Sequence, residues 1–262
     1  MEFKNVYVAV CDILGFKDLI YNNNSDVTNK ILAQFIATLE LSASGGKAIQ
    51  YDFDDSSNIV ADSTEIKINF NLFSDTVVLW TLDDTTKSFF ELLNVTKNLF
   101  HLSLINGLPI RGAISQGDLF VKQFQIESNY NNYENIIYGK ALVKAYELEQ
   151  EQLWSGCIFD PEFANSGNRD LKLIFEHKTN CDRYFFYDVP LKSTGCKKHL
   201  TLNWVDWSEN NELTEGKIIE SFSALNKTIN ESVKIKLDNT ISYFKYSKKL
   251  YEKHFKSNIS NT

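Results

Sequence analysis

The chain has 262 residues, 43% of them hydrophobic and 13% aromatic, enough for one elaborated domain with a full core or a domain with a helical appendage. Its formal net charge of −7 excludes a general attraction to nucleic acid or anionic lipid, and three prolines without any biased tract argue against long disordered linkers. Four scattered cysteines (Cys11, Cys157, Cys181 and Cys196) lack the paired spacing of a zinc site or disulfide framework, so reduced thiols in a cytoplasmic protein are expected, with no signal peptide and no membrane span.

Val6 to Val10 is a β-branched and aromatic run that reads as a strand buried on both faces. It stops on Asp12, and Gly15 then marks a tight turn into a short helical stretch, Phe16 to Tyr21. A second helix is expected from Val27 to Leu41, where Ile31, Leu32, Phe35, Ile36 and Leu39 recur at helical spacing. Ala48 to Phe53 and Ile66 to Phe70 alternate apolar and polar residues and are expected to pair as a ribbon across the polar loop 54–63. Ser74-Asp75 lies between two apolar runs, where a hairpin turn belongs, and Thr85 to Asn106 is an amphipathic helix ended by Gly107.

Leu108 to Phe120 reads as a strand broken by glycines, where backbone or ligand comes close. A polar loop is expected over 129–135 and a helix over Lys140 to Gln150. Strands follow around Trp154 to Phe159, Leu171 to Phe175 and Arg183 to Val189, and the chain turns helical from about Leu213 to Phe255. This order predicts an α+β domain in residues 1–190, an antiparallel-containing sheet with helices on one face, and a largely helical extension in 191–262.

The chemistry is expected at two acids. Asp12 ends a buried strand before a helix start, a position that suits a divalent cation carrying phosphates and equally suits a helix cap. Asp75 lies in a bend; if that hairpin neighbours the first strand, both carboxylates leave the same sheet edge, and a pair of Mg²⁺ or Mn²⁺ ions would relieve their repulsion. The backbone of Ile13, Leu14, Gly15 and Phe16 would then take phosphates as a nest. Arg111, beside glycines, is read as contacting either a phosphate or a carboxylate across the sheet. Lys17 reads equally as a solvated helix residue or a phosphate ligand, Lys140 and Lys144 chiefly as solvated helix residues, Glu147 and Glu149 as exposed charges, and Trp204 and Trp207 as packing for the tail. The four histidines share no ligand spacing.

Four stretches resemble one family. Val10-Cys11-Asp12-Ile13-Leu14-Gly15-Phe16 is similar to the first metal motif of class III nucleotidyl cyclases, and Phe73-Ser74-Asp75 to their second metal hairpin. Pro109 to Gly117 is similar to the strand that follows, and Tyr138 to Glu149 to the last signature; all four occur in the family order. The resemblance implies a ferredoxin-like βααββαβ core and a homodimer with active sites shared across the interface. It also implies two metal ions held by Asp12, the Ile13 carbonyl and Asp75.

The positions of the family's transition-state asparagine and arginine hold Val143 and Glu147, its base-selecting lysine matches Asn71, and its adenine-reading acid matches Ile136. The metal and triphosphate parts are kept and the purine-reading parts are not. Arg111 to Gly117 together with Gly139 to Glu149 more closely resembles the bacterial pyrimidine cyclases of Pycsar antiphage systems. That resemblance implies cyclisation of CTP or UTP to a 3′,5′-cyclic monophosphate sensed by a separate effector protein, with Asp12, Asp75 and Arg111 catalytic and Asn71 reading the base. Two rival readings stand beside it, a purine cyclase and a catalytically silent nucleotide-binding or dimerisation module.

Overall fold

The computed structural model describes residues 4–53, 56–126, 132–165, 171–172, 182–207 and 213–253. Its centre is β1 (Lys4–Ile13), hydrogen-bonded antiparallel to β5 (Thr76–Trp80) on one side and to β6 (Ile110–Ile126) on the other. Alternate residues of β1 bury on opposite faces. Tyr7, Ala9, Cys11 and Ile13 join Phe35 of α2 (Ser25–Ala43) and Phe89, Leu92 and Leu99 of α3 (Thr86–Ile105) in the main core. Val6, Val8 and Val10 join Ala141 and Ala145 of α4 (Lys140–Glu151) in a smaller second core. The continuous apolar run therefore serves two layers, and helices cover both faces of the sheet rather than one.

Outward from β5 lies β4 (Asn69–Phe73); outward from β6 come β8 (Cys157–Phe159), β10 (Gly195–Leu202) and β9 (Tyr184–Leu191). The β6–β8 pair is parallel and the other pairs are antiparallel. This is the α+β architecture expected from the sequence. Close approach of β1 and β6 requires Gly112, where a Cβ would lie 2.7 Å from the Val10 carbonyl oxygen and 2.9 Å from Cys11 Sγ.

Several local expectations are corrected. Ala48–Phe53 (β2) pairs with β3 (Ser56–Ala61), inside the stretch expected as a loop, rather than with residues 66–70. Asn132–Tyr138 forms β7, which extends β6 as a two-stranded arm where a polar loop was expected; asparagine-rich sequence masked its pairing. The boundary expected at residue 190 falls inside the β9–β10 hairpin, so the sheet runs on to Leu202. The single helical tail is two helices, α5 (Glu215–Ser223) and α6 (Glu231–Tyr251), broken where Leu225 and Asn226 take left-handed backbone angles of 62° and 57°. Most of the expected strand 171–175 lies outside the described residues.

The helical extension packs into the main core. Tyr243 of α6 is fully buried, donates to the Leu202 carbonyl at 2.6 Å and meets Trp154 and Trp204 at ring-centroid distances of 4.5 and 5.4 Å. Trp207 donates from Nε1 to Ser247 Oγ at 2.9 Å and stacks on Tyr251.

Candidate functional site

β1 delivers Asp12 to the sheet edge in a row with Thr76 on β5 and Arg111 on β6. The β4–β5 hairpin turns at Ser74-Asp75, with Ser74 in a left-handed conformation at φ 57°. Asp75 is thus next to the residue facing Asp12 across the strands, and its carbonyl accepts from the Ile13 amide at 3.0 Å. The Leu14 amide donates to the Pro109 carbonyl at 2.9 Å. The strand end is tied to both neighbours before Gly15, at φ 79°, turns the chain into α1 (Phe16–Asn22).

Those two bonds revise the expected phosphate nest. The Ile13 and Leu14 amides already have acceptors within the sheet edge, which leaves those of Gly15 and Phe16, at the helix opening where amides have no intrahelical acceptor. The α1 helix lacks a side-chain cap, so Asp12 does not serve as its cap.

Arg111 does not face open solvent. It is 4% exposed, its Nε donates to Glu149 Oε1 at 2.5 Å, and its Nη1 donates to the Gln152 carbonyl at 2.8 Å. Its Nη2 reaches Asp12 Oδ2 at 3.9 Å. Of the two contacts expected for it, this geometry is the carboxylate across the sheet. Glu149, read from the sequence as an exposed charge, is fully buried on α4. It is the site residue that sequence reasoning missed, and its signal was its place on the Ala141-Ala145 face of the amphipathic helix. Gln152 completes the shell, donating from Nε2 to the Gly112 carbonyl at 2.7 Å and accepting from Trp154 Nε1 at 2.8 Å.

The electrostatics follow from this crowding. Burial, then the neighbouring charges of Glu149 and Asp75, push the Asp12 carboxyl up to about 7 against the opposing pull of Arg111 and the Thr76 hydroxyl. Burial also raises the Glu149 carboxyl, which Arg111 pulls back. Cys11 points to the opposite face, where burial raises its thiol far above the usual range.

Of the remaining expected residues, Asn71 is half-buried on β4 opposite Val78, which itself faces Val10, so it shares the Asp12 face of the sheet. Val143 and Glu147 lie exposed on α4. Lys144 is engaged by Glu162 and lies 3.8 Å from Asp160. Lys17 Nζ lies 6.0 Å from the Tyr21 ring centroid.

A resident metal pair is chemically compatible with these residues. Among the described residues no group of three or more histidine, cysteine, aspartate or glutamate side chains is gathered to hold an ion unaided. Asp12 and Asp75 with a backbone carbonyl form an all-oxygen set, as suits Mg²⁺, which usually binds one or two carboxylates plus water and substrate phosphates. Burial and the neighbouring acids disfavour the charged form of the Asp12 carboxyl, and a bound cation would reverse that effect.

No protein-family model matches the chain, and no curated protein matches it in sequence. Solved structures similar to it include the adenylyl cyclase CyaB from P. aeruginosa, at 13% identity and a TM-score of 0.49 over 77% of this chain and 95% of that one. The guanylyl cyclase Cya2 follows at 9% identity, covering 81% of this chain and 98% of that one with a TM-score of 0.44. The guanylate cyclase domain of RhGC from Catenaria anguillulae, in complex with GTP, is similar at 12% identity over 77% and 97% with a TM-score of 0.43. Among the described residues no helix is long and apolar enough to cross a membrane.

Proposed function

We propose that the protein is a nucleotidyl cyclase acting on a pyrimidine nucleoside triphosphate, CTP or UTP, at the Asp12–Asp75 edge. The observation that supports the reading is the placement of the two acids, one ending the central strand and one in the adjoining hairpin beside the Gly15 turn, with the Asp75 charge acting on Asp12. Two Mg²⁺ or Mn²⁺ ions, when bound, supply activation of the attacking 3′-hydroxyl and charge stabilisation of the departing pyrophosphate. Asp12, Asp75 and the Ile13 carbonyl hold them; the Gly15 and Phe16 amides face the phosphates; Arg111, fixed by Glu149, keeps Asp12 in place. Holding nucleophile and electrophile of one molecule in a bent pose supplies much of the acceleration.

The pyrimidine assignment rests on the likeness of Arg111–Gly117 and Gly139–Glu149 to the Pycsar enzymes, and it makes Asn71 the base reader. The same likeness supports a homodimer with shared sites, a cyclic nucleotide read by a separate effector in antiphage defence, and a cytoplasmic location. The exposed apolar residues Ile136, Tyr138, Val143 and Tyr146, on β7 and α4, are the surface such a dimer would cover.

A silent nucleotide-binding module is the second reading, favoured by Val143 and Glu147 and by the two amides already bonded within the fold. Incubation with each of the four nucleoside triphosphates and Mn²⁺, followed by mass analysis, separates the readings. Cyclic CMP or cyclic UMP from the wild type and none from a folded Asp75→Ala variant is the expected result. A purine product alone overturns the pyrimidine assignment, and binding without pyrophosphate release favours the silent module.

A further inference from the structure

The α6 helix carries a lysine over the edge just described. Lys236 is half-buried, and its ammonium makes no hydrogen bond or ion pair among the described residues. It lines a small cleft with Leu14, Gly15, Asp18 and Thr228. The charges of Asp12 and Glu149, which favour its ammonium, and of Arg111 and Lys192, which oppose it, lie within its electrostatic reach.

Its placement is held rigidly from both ends. The α5–α6 linker docks on α1: Asn23 Nδ2 donates to the Leu225 carbonyl at 2.8 Å, Asn22 Nδ2 to the Asn226 carbonyl at 2.7 Å, and the Thr228 amide to Asp18 Oδ2 at 2.9 Å. Lys227 covers the Gly15 turn, its Cδ 2.9 Å from where a Cβ would lie, and its Nζ donates to the Gly107 and Ser221 carbonyls at 2.6 Å each. Beyond Lys236, Asn239 Nδ2 donates to the Leu153 carbonyl at 2.8 Å and Thr240 Oγ1 accepts from the Ser155 amide at 2.8 Å. Leu237 between these anchors is buried.

Lys236 is held half out of water with the Asp12 and Glu149 carboxylates acting on it only at a distance, so it forgoes hydration and rotamer freedom without a direct anion contact. Two groups of the Arg111 fork are already taken, Nε by Glu149 and Nη1 by the Gln152 carbonyl. A polyphosphate at the Gly15 turn would bring negative charge into the cleft that Lys236 lines. We propose that Lys236 contacts the terminal phosphates of the substrate, in the same chain that supplies Asp12 and Asp75. The assignment rests on the cyclase reading and deepens it. It makes the helical extension part of the phosphate site. Burial lowers the Lys236 ammonium from its usual range, an effect a bound phosphate reverses.

The test is calorimetric titration of the full chain with inorganic pyrophosphate and Mg²⁺, for wild type, Lys236→Met, Lys236→Gln, Lys236→Arg and Asp75→Ala. Removing the charge should weaken pyrophosphate about tenfold, as expected for losing one charge-assisted contact, with the Arg variant restoring most of the affinity. Thermal midpoints of the metal-free variants should stay at or above wild type. Wild-type affinity in both neutral variants overturns the role of Lys236 and leaves the cyclase reading standing. No binding by wild type, or wild-type affinity in Asp75→Ala, overturns the cyclase reading, and the lysine assignment with it.

Discussion

Asp12 is the residue on which opposing demands meet. It is only partly exposed, and Glu149 and Asp75 both disfavour its charge, while Arg111 and Thr76 only partly compensate. A carboxyl held at about 7 when folded, against roughly 4 when unfolded, makes folding less favourable as pH rises through that window. Removing the charge should therefore stabilise the metal-free protein: Asp12→Asn should melt higher than wild type at pH 8, with the advantage fading toward pH 4. Urea denaturation at several pH values measures the difference, and an advantage independent of pH contradicts it. The same residue should lose all turnover, the usual exchange of stability for function at an active site. The Arg111–Glu149 pair is the support beneath Asp12. Both groups are buried, so removing either carboxylate or guanidinium strands its partner's charge.

At the scale of elements, the β4–β5 hairpin fixes the second acid. Ser74 takes φ 57°, a conformation a non-glycine residue adopts at some cost, which only glycine avoids. Ser74→Gly should stabilise the protein by up to about 1 kcal/mol without moving Asp75, because relief of the left-handed strain outweighs added chain entropy. Chemical denaturation reads the gain, and a destabilised variant contradicts it. This hairpin and the strand ending at Asp12 were legible in the sequence, because apolar runs broken by short polar bends carry their own signal. The helices Ser25–Ala43 and Thr86–Ile105 were equally legible from helical spacing. What stayed hidden depends on tertiary contact. Asn132–Tyr138 pairs only because β6 runs past the sheet, and Glu149 is buried only because Arg111 crosses from the neighbouring strand. The Lys236 position is hidden for the same reason, since α1 and the distant α5–α6 linker set it together.

Among the described residues the molecule is an eight-stranded sheet with helices on both faces, a separate β2–β3 ribbon, and a helical extension folded back over the turn that follows Asp12. Its net charge of −7 means that a polyanionic substrate must be met by local positive charge and not by a general field. The half-buried Lys236 of α6, in the cleft it shares with Leu14 and Gly15, is one such charge. Asn71 lies on the sheet face it shares with Asp12. A crystal of the protein grown with Mn²⁺ and a non-cyclising CTP analogue, measured at the manganese edge, tests the account most directly. Anomalous peaks touching both Asp12 and Asp75, with the phosphates over the Gly15 turn, are the result it predicts. Manganese elsewhere, or a triphosphate bound away from these two carboxylates, would contradict it.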